Sequence, residues 1–519
     1  MGAILSPARK RQKLLRAPGL KLLNRGKVRD TYRLPDKRYL LLVCSDGISI
    51  FDIVLNFIVP MKGIMLNLMS HFWFQLLEAQ GFKTHFVATG TDIDQFLPES
   101  LRGNADLQAR AMVVKNVTVR KREFIYRWAL TGSGFKDYCN DNGVVCGYKL
   151  PDGLQDGDQL PRILFTPSTK EDVGHDRNIP ADEVRREFPV ESAMGFEIFS
   201  FAVEFARRRG IVLADTKFEF GIDEEGNICI CDEVLSPDSS RFWEFLLWVT
   251  SRKAEKRSAP SSFDKQIGRE AGKELSIHKL HNDDPNDLQK AWEWKGSKGL
   301  IKALTDAYRY IFWRLTGLTV EQYAKTLGVN LAQRRKNILV LLGSESDLTA
   351  EVKKAIQNAD DSFTRNGELT SIRVTTNFSC HRQFKAMVTL ARTGRLEITE
   401  PGEDKPRVIN LADVDYIIAG AGLAAHLPGM LDAALYAYGH SIPVIGLAIG
   451  PDHTEDLDAA RLSISHIPGK PVIINEIDGA VYINAPGLCN AIERIATGEL
   501  PPAKARTVKP IHIDVSFAA

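Results

Sequence analysis

Residues 214–243 constrain this chain more than any other stretch, because they gather eight acidic residues, a lysine, an arginine and several hydroxyls around one turn. Residues 216–221 alternate as a strand does, and residues 223–227 have the polar, glycine-containing composition of a hairpin loop. Residues 228–234 read as the returning strand. The pattern therefore predicts a β-hairpin with one strongly charged face.

The charges of this hairpin lie on one side. Side chains alternate along a strand, so Asp215, Lys217 and Glu219 share a face and the intervening phenylalanines face the core. Asp232 returns near Lys217, in a register that the sequence does not fix. A solvated ladder of ion pairs is one explanation. The alternative is a site for phosphoryl transfer, in which carboxylates hold Mg²⁺ beside a lysine that contacts phosphates, and residues 236–241 supply hydroxyls and a guanidinium for an anion.

Length and charge bound the class of protein. A chain of 519 residues predicts roughly two to four domains. The net charge of +2 argues against the broad basic face that duplex nucleic acid requires, so we expect no nucleic-acid partner. Seven scattered cysteines without a C-x-x-C pair favour thiols in a reducing cytosol. No apolar run is long enough to span a bilayer, so we expect a cytoplasmic protein with no membrane partner.

Several local patterns predict the organisation of the first part. Residues 1–20 are basic and read as a loose end, and residues 22–34 predict a hairpin with Gly26, Lys27 and Arg29 near its turn. The segment after the apolar strand at 39–44 is either a plain turn or part of a pocket. We further expect a strand at 113–119, a polar inserted loop within 272–298, and helices at 66–80, 196–209 and 300–315.

The composition shifts near residue 335. Residues 337–342 predict a buried strand, followed by a glycine turn and a helix that begins near Leu348. Residues 416–422 and 443–446 repeat the strand pattern. Strand, glycine turn and helix open an α/β unit with a parallel sheet, and anions bind at the exposed N–H groups of such a helix.

Four blocks of the first part resemble one family. RGKVRD, FTPSTKEDVGHDRNI, ADTKFEFG and DEVLSPDSSRFW are similar to phosphoribosylaminoimidazole-succinocarboxamide synthetase (SAICAR synthetase), an enzyme family of purine synthesis. The resemblance covers about residues 20–330 and implies an α+β, ATP-grasp-like domain at 1–330. It implies that ATP, with Mg²⁺, drives condensation of carboxyaminoimidazole ribonucleotide (CAIR) with L-aspartate. A related kinase or ligase with another acceptor is the alternative.

The same resemblance implies residue roles. ATP would be bound by Gly26, Lys27, Arg29, Lys217 and Glu219, with Lys217 also catalytic. The metal would be held by Glu219 and Asp232. Substrate contacts would come from Asp46, Arg127, Ser133, Lys170, Asp176, Asp238, Ser239, Ser240 and Arg241.

Three later pieces, GSESD, SCHR and AGAGLAAHLPGM, resemble the phosphoribosylaminoimidazole (AIR) carboxylase family. This resemblance implies a three-layer, parallel-sheet domain of flavodoxin or Rossmann type at 335–500, a tail at 501–519, and octamers formed through this domain. The substrates would be AIR with CO₂ or bicarbonate, or an N-carboxylated ribonucleotide in a mutase reaction. His381 and His426 would be catalytic, and substrate would be bound by Ser344, Asp347, Ser379, Arg382, Ala419 and Gly420.

Two residues depart from that family's usual pattern. Cys380 stands within the usual SAHR block, and Leu423 replaces one of two paired glycines. A module kept only for oligomerisation is therefore an alternative to an active carboxylase or mutase. The sequence leaves the choice among these three open.

Overall fold

The computed structural model describes residues 4–12, 20–170, 177–331, 336–364, 369–376, 378, 383–398, 407–411, 414–422, 426–437, 440, 442–465, 473 and 481–500. The chain divides into two compact units, Met1–Leu331 and Ala332–Ala519. Among the helices within the described ranges, none combines the length and the apolar character needed to cross a membrane.

An antiparallel sheet opens the first unit, with strand order β1-β2-β3-β7-β6. The elements are α1 (Pro7–Arg11), β1 (Lys21–Arg25), β2 (Arg29–Arg33), β3 (Tyr39–Cys44), β4 (Gly47–Ile50), β5 (Ile53–Ile58), α2 (Lys62–Ala79), β6 (Phe86–Thr89), α3 (Ala105–Arg110) and β7 (Ala111–Lys115). The predicted first hairpin and the strand at 39–44 are confirmed. The expectation of a loose end is wrong for residues 4–12, since α1 packs on β5 and buries Leu5 and Arg9.

A second antiparallel sheet has β14 near its centre. The elements of this part of the chain are β8 (Thr118–Val119), β9 (Arg122–Leu130), α4 (Gly132–Asn140), β10 (Val144–Val145), β11 (Tyr148–Lys149), β12 (Asp158–Phe165), β13 (Ser168–Thr169), α5 (Ala181–Glu187), α6 (Pro189–Arg207), β14 (Ile211–Ile222), β15 (Ile228–Cys231) and β16 (Ser240–Glu244). Strands β10 and β11 form a separate two-stranded sheet. The order is β12-β9-β14-β15, and β8 and β16 also pair with β14. Helix α6 packs on β9 and β14, and Phe218 and Phe220 of β14 are fully buried.

The predicted charged hairpin is present, but its return is shorter than expected. Glu219 pairs with Cys231, and β15 ends there. Asp232 and Leu235 have φ angles of 59° and 51°, which interrupt the extended backbone. The predicted strand over 228–234 is therefore wrong after Cys231, because the left-handed backbone at Asp232 turns the chain away.

Helices complete the first unit: α7 (Phe245–Ser251), α8 (Gln266–Glu274), α9 (Pro285–Glu293), α10 (Lys298–Thr316) and α11 (Val320–Thr326). Helix α10 confirms the helix expected at 300–315 and ends at Gly317, whose φ is 77°. The loop expected within 272–298 is confirmed only in part, because residues 280–284 and 294–297 are irregular but residues 285–293 form α9. Asp284 caps α9 by accepting from the backbone of Asn286, and the helix buries Leu288 and Ala291.

The second unit contains a parallel sheet of order β18-β17-β21-β22-β23. Its elements are β17 (Lys336–Leu342), α12 (Ala350–Ala359), β18 (Leu369–Thr375), α13 (Phe384–Thr393), β19 (Arg395–Ile398), β20 (Arg407–Asn410), β21 (Tyr416–Ala421), α14 (Leu427–Ala437), β22 (Val444–Ala448), α15 (Glu455–Ser465), β23 (Tyr482–Ile483) and α16 (Asn484–Ala496). Alternate residues of β17 enter two separate hydrophobic clusters, one with α12 and α16 and the other with α13 and α14. Burial on both faces explains why residues 338–342 of this strand are all apolar.

Candidate active site

A cleft of about 1220 Å³ lies in the first unit, against the β1–β2 hairpin, the charged face of β14 and the start of α8. Most of the site residues predicted for this unit line it: Gly26, Lys27, Arg29, Arg127, Ser133, Lys170, Lys217, Glu219, Asp232, Asp238, Ser239, Ser240 and Arg241. The sheet thus brings together residues that are far apart in sequence. Of the predicted residues that the structure describes, Asp46 is not among them.

Asp46 is a correction to the sequence-based prediction. Its Oδ1 accepts hydrogen bonds from the Gly63 N–H at 2.8 Å and from Arg110 Nη1 at 3.1 Å. It is buried and is not part of the cleft lining. A carboxylate at this position stabilises the N-terminus of α2, and this role explains an acidic residue at position 46 without any substrate contact. Asp176 lies outside the described residues.

Lys217 and Glu219 on the charged face of β14 form a cluster with Glu123 of β9 and with Lys170. Lys217 Nζ lies 2.8 Å from Glu123 Oε1 and 2.9 Å from Glu219 Oε1, and Lys170 pairs with the other carboxylate oxygen of Glu219. Burial alone would lower the pKa of Lys217, but the carboxylates of Glu219 and Glu123 outweigh it and hold the pKa well above its usual value. The carboxylates beside Lys217 therefore favour its charged form in the cleft.

Asp232 extends this group of charges towards the first hairpin. Arg29 donates to its Oδ1 and lies 3.7 Å from Glu233 Oε2. Burial would raise the pKa of Asp232, but Arg29 and Lys217 lower it to about 2. The carboxylate is thus ionised and supplies oxygen donors of the type that Mg²⁺ prefers.

The donor set fits Mg²⁺ only together with a ligand. Within the described ranges, no group of three or more His, Cys, Asp or Glu side chains is placed to hold a metal ion. Glu219 and Asp232 would supply two carboxylates, and the remaining oxygens would come from phosphates or water, as is usual for Mg²⁺.

The turn of the first hairpin lines the same cleft. The Gly26 N–H donates to the Arg29 carbonyl at 2.8 Å, and a Cβ at residue 26 would lie 2.6 Å from that oxygen. Only glycine fits this turn without displacing it. Lys27 Nζ lies 2.5 Å from Asp52 Oδ1, and both side chains are partly exposed. Lys27 is thus held at the mouth of the cleft by a weak surface ion pair.

Two arginines share one carboxylate oxygen further along β14. Arg127 Nη1 and Arg241 Nη1 lie 2.6 Å and 2.5 Å from Asp215 Oδ2. The strand register explains this contact, since Asp215 pairs with Arg127 on β9 and with Arg241 on β16. Arg127 also donates to Ser133 Oγ at 2.9 Å. Two guanidinium groups against one carboxylate leave a net positive charge, which suits a phosphate or carboxylate ligand.

The residues after β15 are held by internal hydrogen bonds. Asp238 accepts from Lys62 Nζ at 2.6 Å on one oxygen and from the Tyr308 hydroxyl on the other. Ser240 Oγ lies 2.7 Å from Thr216 Oγ1, and Ser239 is bonded within its own turn. The predicted contact of Asp238 with an anionic substrate stays a prediction, but both of its oxygens already have donors.

Sequence reasoning missed four residues near Asp238. Lys62 and Tyr308 hold its carboxylate, while Lys265 and Arg269 line the cleft one helical turn apart. Burial, together with the nearby Arg269, lowers the pKa of Lys265 to about 8, although Asp238 opposes the shift. The block SSFDKQ around Lys265 was a detectable signal. Lys62, a single lysine in the apolar helix α2, and Tyr308, a single tyrosine in a helix, carry no such sequence signal.

Four of the residues predicted for the second unit lie at the carboxyl ends of adjacent parallel strands: Ser344 and Asp347 follow β17, and Ala419 and Gly420 are near the end of β21. Asp347 Oδ2 accepts from the Ser344 N–H at 2.7 Å just after β17. Ala419 and Gly420 lie opposite Leu341 and Leu342 within the sheet, and the side chain of Ala419 is buried in a hydrophobic cluster. The predicted substrate contact of Ala419 stays a prediction, and only its backbone is available for it because its side chain belongs to the core.

The predicted histidine pair is only half described. His426 is exposed and immediately precedes α14. Ser379, His381 and Arg382 lie outside the described residues.

Comparison with known proteins identifies the first unit. The family model described as SAICAR synthetase matches residues 22–282. A phosphoribosylaminoimidazole-succinocarboxamide synthase of Neisseria meningitidis serogroup B is 45% identical over 258 residues, which are 49% of this chain and 85% of that protein. The enzyme of the same name from Haemophilus influenzae (strain PittGG) is 43% identical, over 48% of this chain and 84% of that one.

A solved structure, SAICAR-synthase from Saccharomyces cerevisiae complexed with SAICAR, is 30% identical. The likeness covers 59% of this chain and 99% of that one, with a TM-score of 0.49. The matched family residues include the whole charged hairpin and both of the arginines that share Asp215. By the family model and by these relatives, the chain belongs to the SAICAR synthetase family.

Proposed function

We propose that the cleft of the first unit joins CAIR to L-aspartate at the expense of ATP, which forms SAICAR, ADP and phosphate. The observation that carries this proposal is the division of charges along β14. Lysines beside ionised carboxylates occupy one part of the cleft, and the two arginines that share Asp215 occupy another. Two anionic reactants, a triphosphate and a phosphorylated ribonucleotide, require two such regions.

ATP binds at the hairpin end. Lys27 and Arg29 face the triphosphate from the glycine turn, and Lys217, which stays protonated, contacts the transferred phosphoryl group. Mg²⁺, held by Glu219 and Asp232, would neutralise charge on the phosphates. On nucleotide binding, Lys170 exchanges its contact with Glu219 for a phosphate oxygen. The reason is that the Glu219 carboxylate cannot bind Lys170 and Mg²⁺ equally well at the same time.

The ribonucleotide binds at the arginine end. Arg127, Ser133 and Arg241 receive its phosphate, with Ser239 and Ser240 beside them. Bidentate guanidinium contacts would fix the orientation of the imidazole carboxylate towards Lys217. Lys265 and Arg269 supply further positive charge in the cleft, and so suit the carboxylates of aspartate.

The chemistry has two steps. A carboxylate oxygen of CAIR forms a bond with the γ-phosphorus as the bond to ADP breaks, which gives an acyl phosphate. The neutral amine of aspartate then attacks the carbonyl carbon, the C–N bond forms, and the C–O bond to phosphate breaks as the nitrogen loses its proton to solvent. Lys217 and the arginines stabilise the charge that develops at both stages, where most of the rate enhancement arises.

A product assay on the full chain tests this proposal. CAIR, Mg·ATP and L-aspartate should give SAICAR and ADP in equal amounts, whereas L-glutamate or succinate in place of aspartate should give none. Aspartate and the ribonucleotide should each raise the melting temperature more than other acids do. ATP turnover with a different acceptor, and none with aspartate, would favour a related kinase or ligase.

For the second unit we propose formation of CAIR from AIR and CO₂, or from N-carboxylated AIR. Support comes from the parallel sheet, with Ser344 and Asp347 at the carboxyl end of β17, where ligands of open α/β sheets bind. Ser344 and Asp347 would contact the ribose phosphate, His381 would move the C4 proton, and Arg382 and His426 would border the pocket. We also propose domain limits of 1–330 and 335–500, with a tail at 501–519. The first domain would have an ATP-grasp-like fold and the second a flavodoxin-like fold, and the second domain would form an octamer.

A lapsed oligomerisation module is the competing proposal, since Leu423 departs from the usual glycine pair. Supplying the full chain with AIR and bicarbonate, or separately with N-carboxylated AIR, distinguishes the three. CAIR formed from the first mixture supports direct carboxylation, CAIR from the second supports a mutase, and CAIR from neither supports the lapsed module. Light scattering on the same sample tests the octamer.

A further inference from the structure

The N-terminal segment, residues 4–12, precedes the part of the chain that the family model matches. It is nevertheless packed into the first unit. Leu5, Ser6 and Arg9 are at most 5% exposed. Ser6 Oγ donates to the Leu55 carbonyl at 2.6 Å, and the Ala8 N–H donates to Asn56 Oδ1 at 2.9 Å. Two bonds to β5 thus fix the start of α1 in one place.

The other end of the segment reaches the hairpin that lines the cleft. Arg9 Nη2 lies 2.9 Å from Asp30 Oδ1, and both side chains are almost fully buried. Arg29 and Asp30 are neighbours on β2, and their side chains face opposite sides of the strand. Arg29 lines the cleft, whereas Asp30 does not. Arg9 therefore holds the hairpin from the side opposite the cleft.

Two further contacts keep this arrangement rigid. Gln12 Oε1 accepts from the Asp46 N–H at 2.9 Å, directly after β3, the strand that pairs with β2. Gly47 lies against the stem of Arg9, where an added Cβ would be 2.9 Å from Arg9 Cδ. The absence of a side chain at residue 47 is what allows Arg9 to reach Asp30.

We propose that residues 4–12 are a positioning segment for nucleotide binding: through Arg9–Asp30 and Gln12–Asp46 they fix the glycine hairpin so that Lys27 and Arg29 meet the triphosphate. The inference rests on the proposed function, which assigns that hairpin to ATP. Arg9 does not touch the nucleotide and acts only through Asp30. Its loss should therefore weaken ATP binding and leave the arginine end of the cleft unchanged.

The test compares Arg9→Met with Arg252→Met in the full chain. Arg252 pairs with Asp158 at 2.7 Å, is also mostly buried, and does not line the cleft. Both variants should lower the melting temperature. Only Arg9→Met should raise the dissociation constant of Mg·ATP, measured by titration calorimetry, by about tenfold (about 1.4 kcal/mol). The KM for ATP should rise with it, while kcat and the KM for aspartate change by less than about twofold.

Gly47→Ala is the second variant, and it decides the question if Arg9→Met does not fold. It keeps every charge and displaces chiefly the Arg9 side chain, with a smaller crowding of Ser45 Oγ at 3.3 Å, so Mg·ATP should bind about threefold more weakly, near 0.7 kcal/mol. An unaltered dissociation constant in the folded variants, with normal binding by wild type, overturns the inference and leaves the proposed function intact. Failure of wild type to bind Mg·ATP at all overturns the proposed function and this inference with it.

Discussion

Asp215 is the residue whose replacement tests the arginine end of the cleft most sharply. Its side chain is 6% exposed and its Oδ2 receives both Arg127 and Arg241, at 2.6 Å and 2.5 Å. Asp215→Asn keeps the volume and one acceptor oxygen but removes the only negative charge between the two guanidinium groups in this contact. We expect it to leave two buried cations against a neutral amide.

The loss of stability in this variant follows from the burial of the ion pairs that Asp215 makes. Removing one partner of a buried ion pair costs about 3–5 kcal/mol, and the retained acceptor favours the lower end. At about 2–4 °C per kcal/mol, the ligand-free variant should melt roughly 6–12 °C below wild type. An anion bound by the two arginines should restore much of this loss. Phosphate at a hundred times its dissociation constant would contribute about 2.7 kcal/mol.

The assay is thermal unfolding with and without inorganic phosphate, and Asp158→Asn is the matched control. Asp158 also receives two arginines, Arg252 at 2.7 Å and Arg257 at 2.8 Å, but it does not line the cleft. Phosphate should raise the melting temperature of Asp215→Asn by at least twice the increment seen in wild type, and that of Asp158→Asn by no more than the wild-type increment. Equal phosphate effects in the two variants would refute an anion site at Arg127 and Arg241.

Three further predictions concern other groups. Asp232→Asn should abolish SAICAR formation at ordinary Mg²⁺ and also destabilise the first unit, since the Arg29 guanidinium loses the negative charge that faces it; full activity would refute the metal role. Burial lowers the pKa of Lys265 to about 8, so its charge is lost as pH rises through 8. The KM for aspartate should therefore rise between pH 7 and 9 in wild type and stay flat in Lys265→Arg. The same pH profile in both proteins would contradict this prediction. His381→Asn should reduce CAIR formation by about 10²–10⁴ and spare SAICAR synthesis from supplied CAIR; retained CAIR formation would make His381 structural.

Local patterns in the sequence predicted the parts of the fold that depend on neighbouring residues. Alternation along residues 216–221 correctly assigned the two faces of β14, and the apolar run at 337–342 correctly indicated a buried strand. The end of β15 was not predictable, because the left-handed backbone at Asp232 carries no pattern of its own. Helix α9 was missed for a different reason. Its polar composition resembles a loop, although Asp284 and Pro285 are start signals.

Contacts between strands of the sheet could not be predicted from the sequence. Arg127 and Asp215 are 88 residues apart, and only the pairing of β9 with β14 brings them into contact. The motif around Asp46 had the right composition for a pocket, but its carboxylate anchors α2 instead. Neither Lys62 nor Arg9 could be singled out, since the partner of each is set by tertiary packing.

The measurement that tests the central claim most directly follows the carboxylate oxygens of CAIR. If the cleft activates that carboxylate as an acyl phosphate, one of its oxygens must leave with the phosphate when aspartate attacks. CAIR labelled with ¹⁸O in the carboxylate, incubated with the full chain, Mg·ATP and L-aspartate, should give inorganic phosphate that carries one ¹⁸O for each SAICAR formed. Unlabelled phosphate, with SAICAR produced at the same rate, would contradict the account.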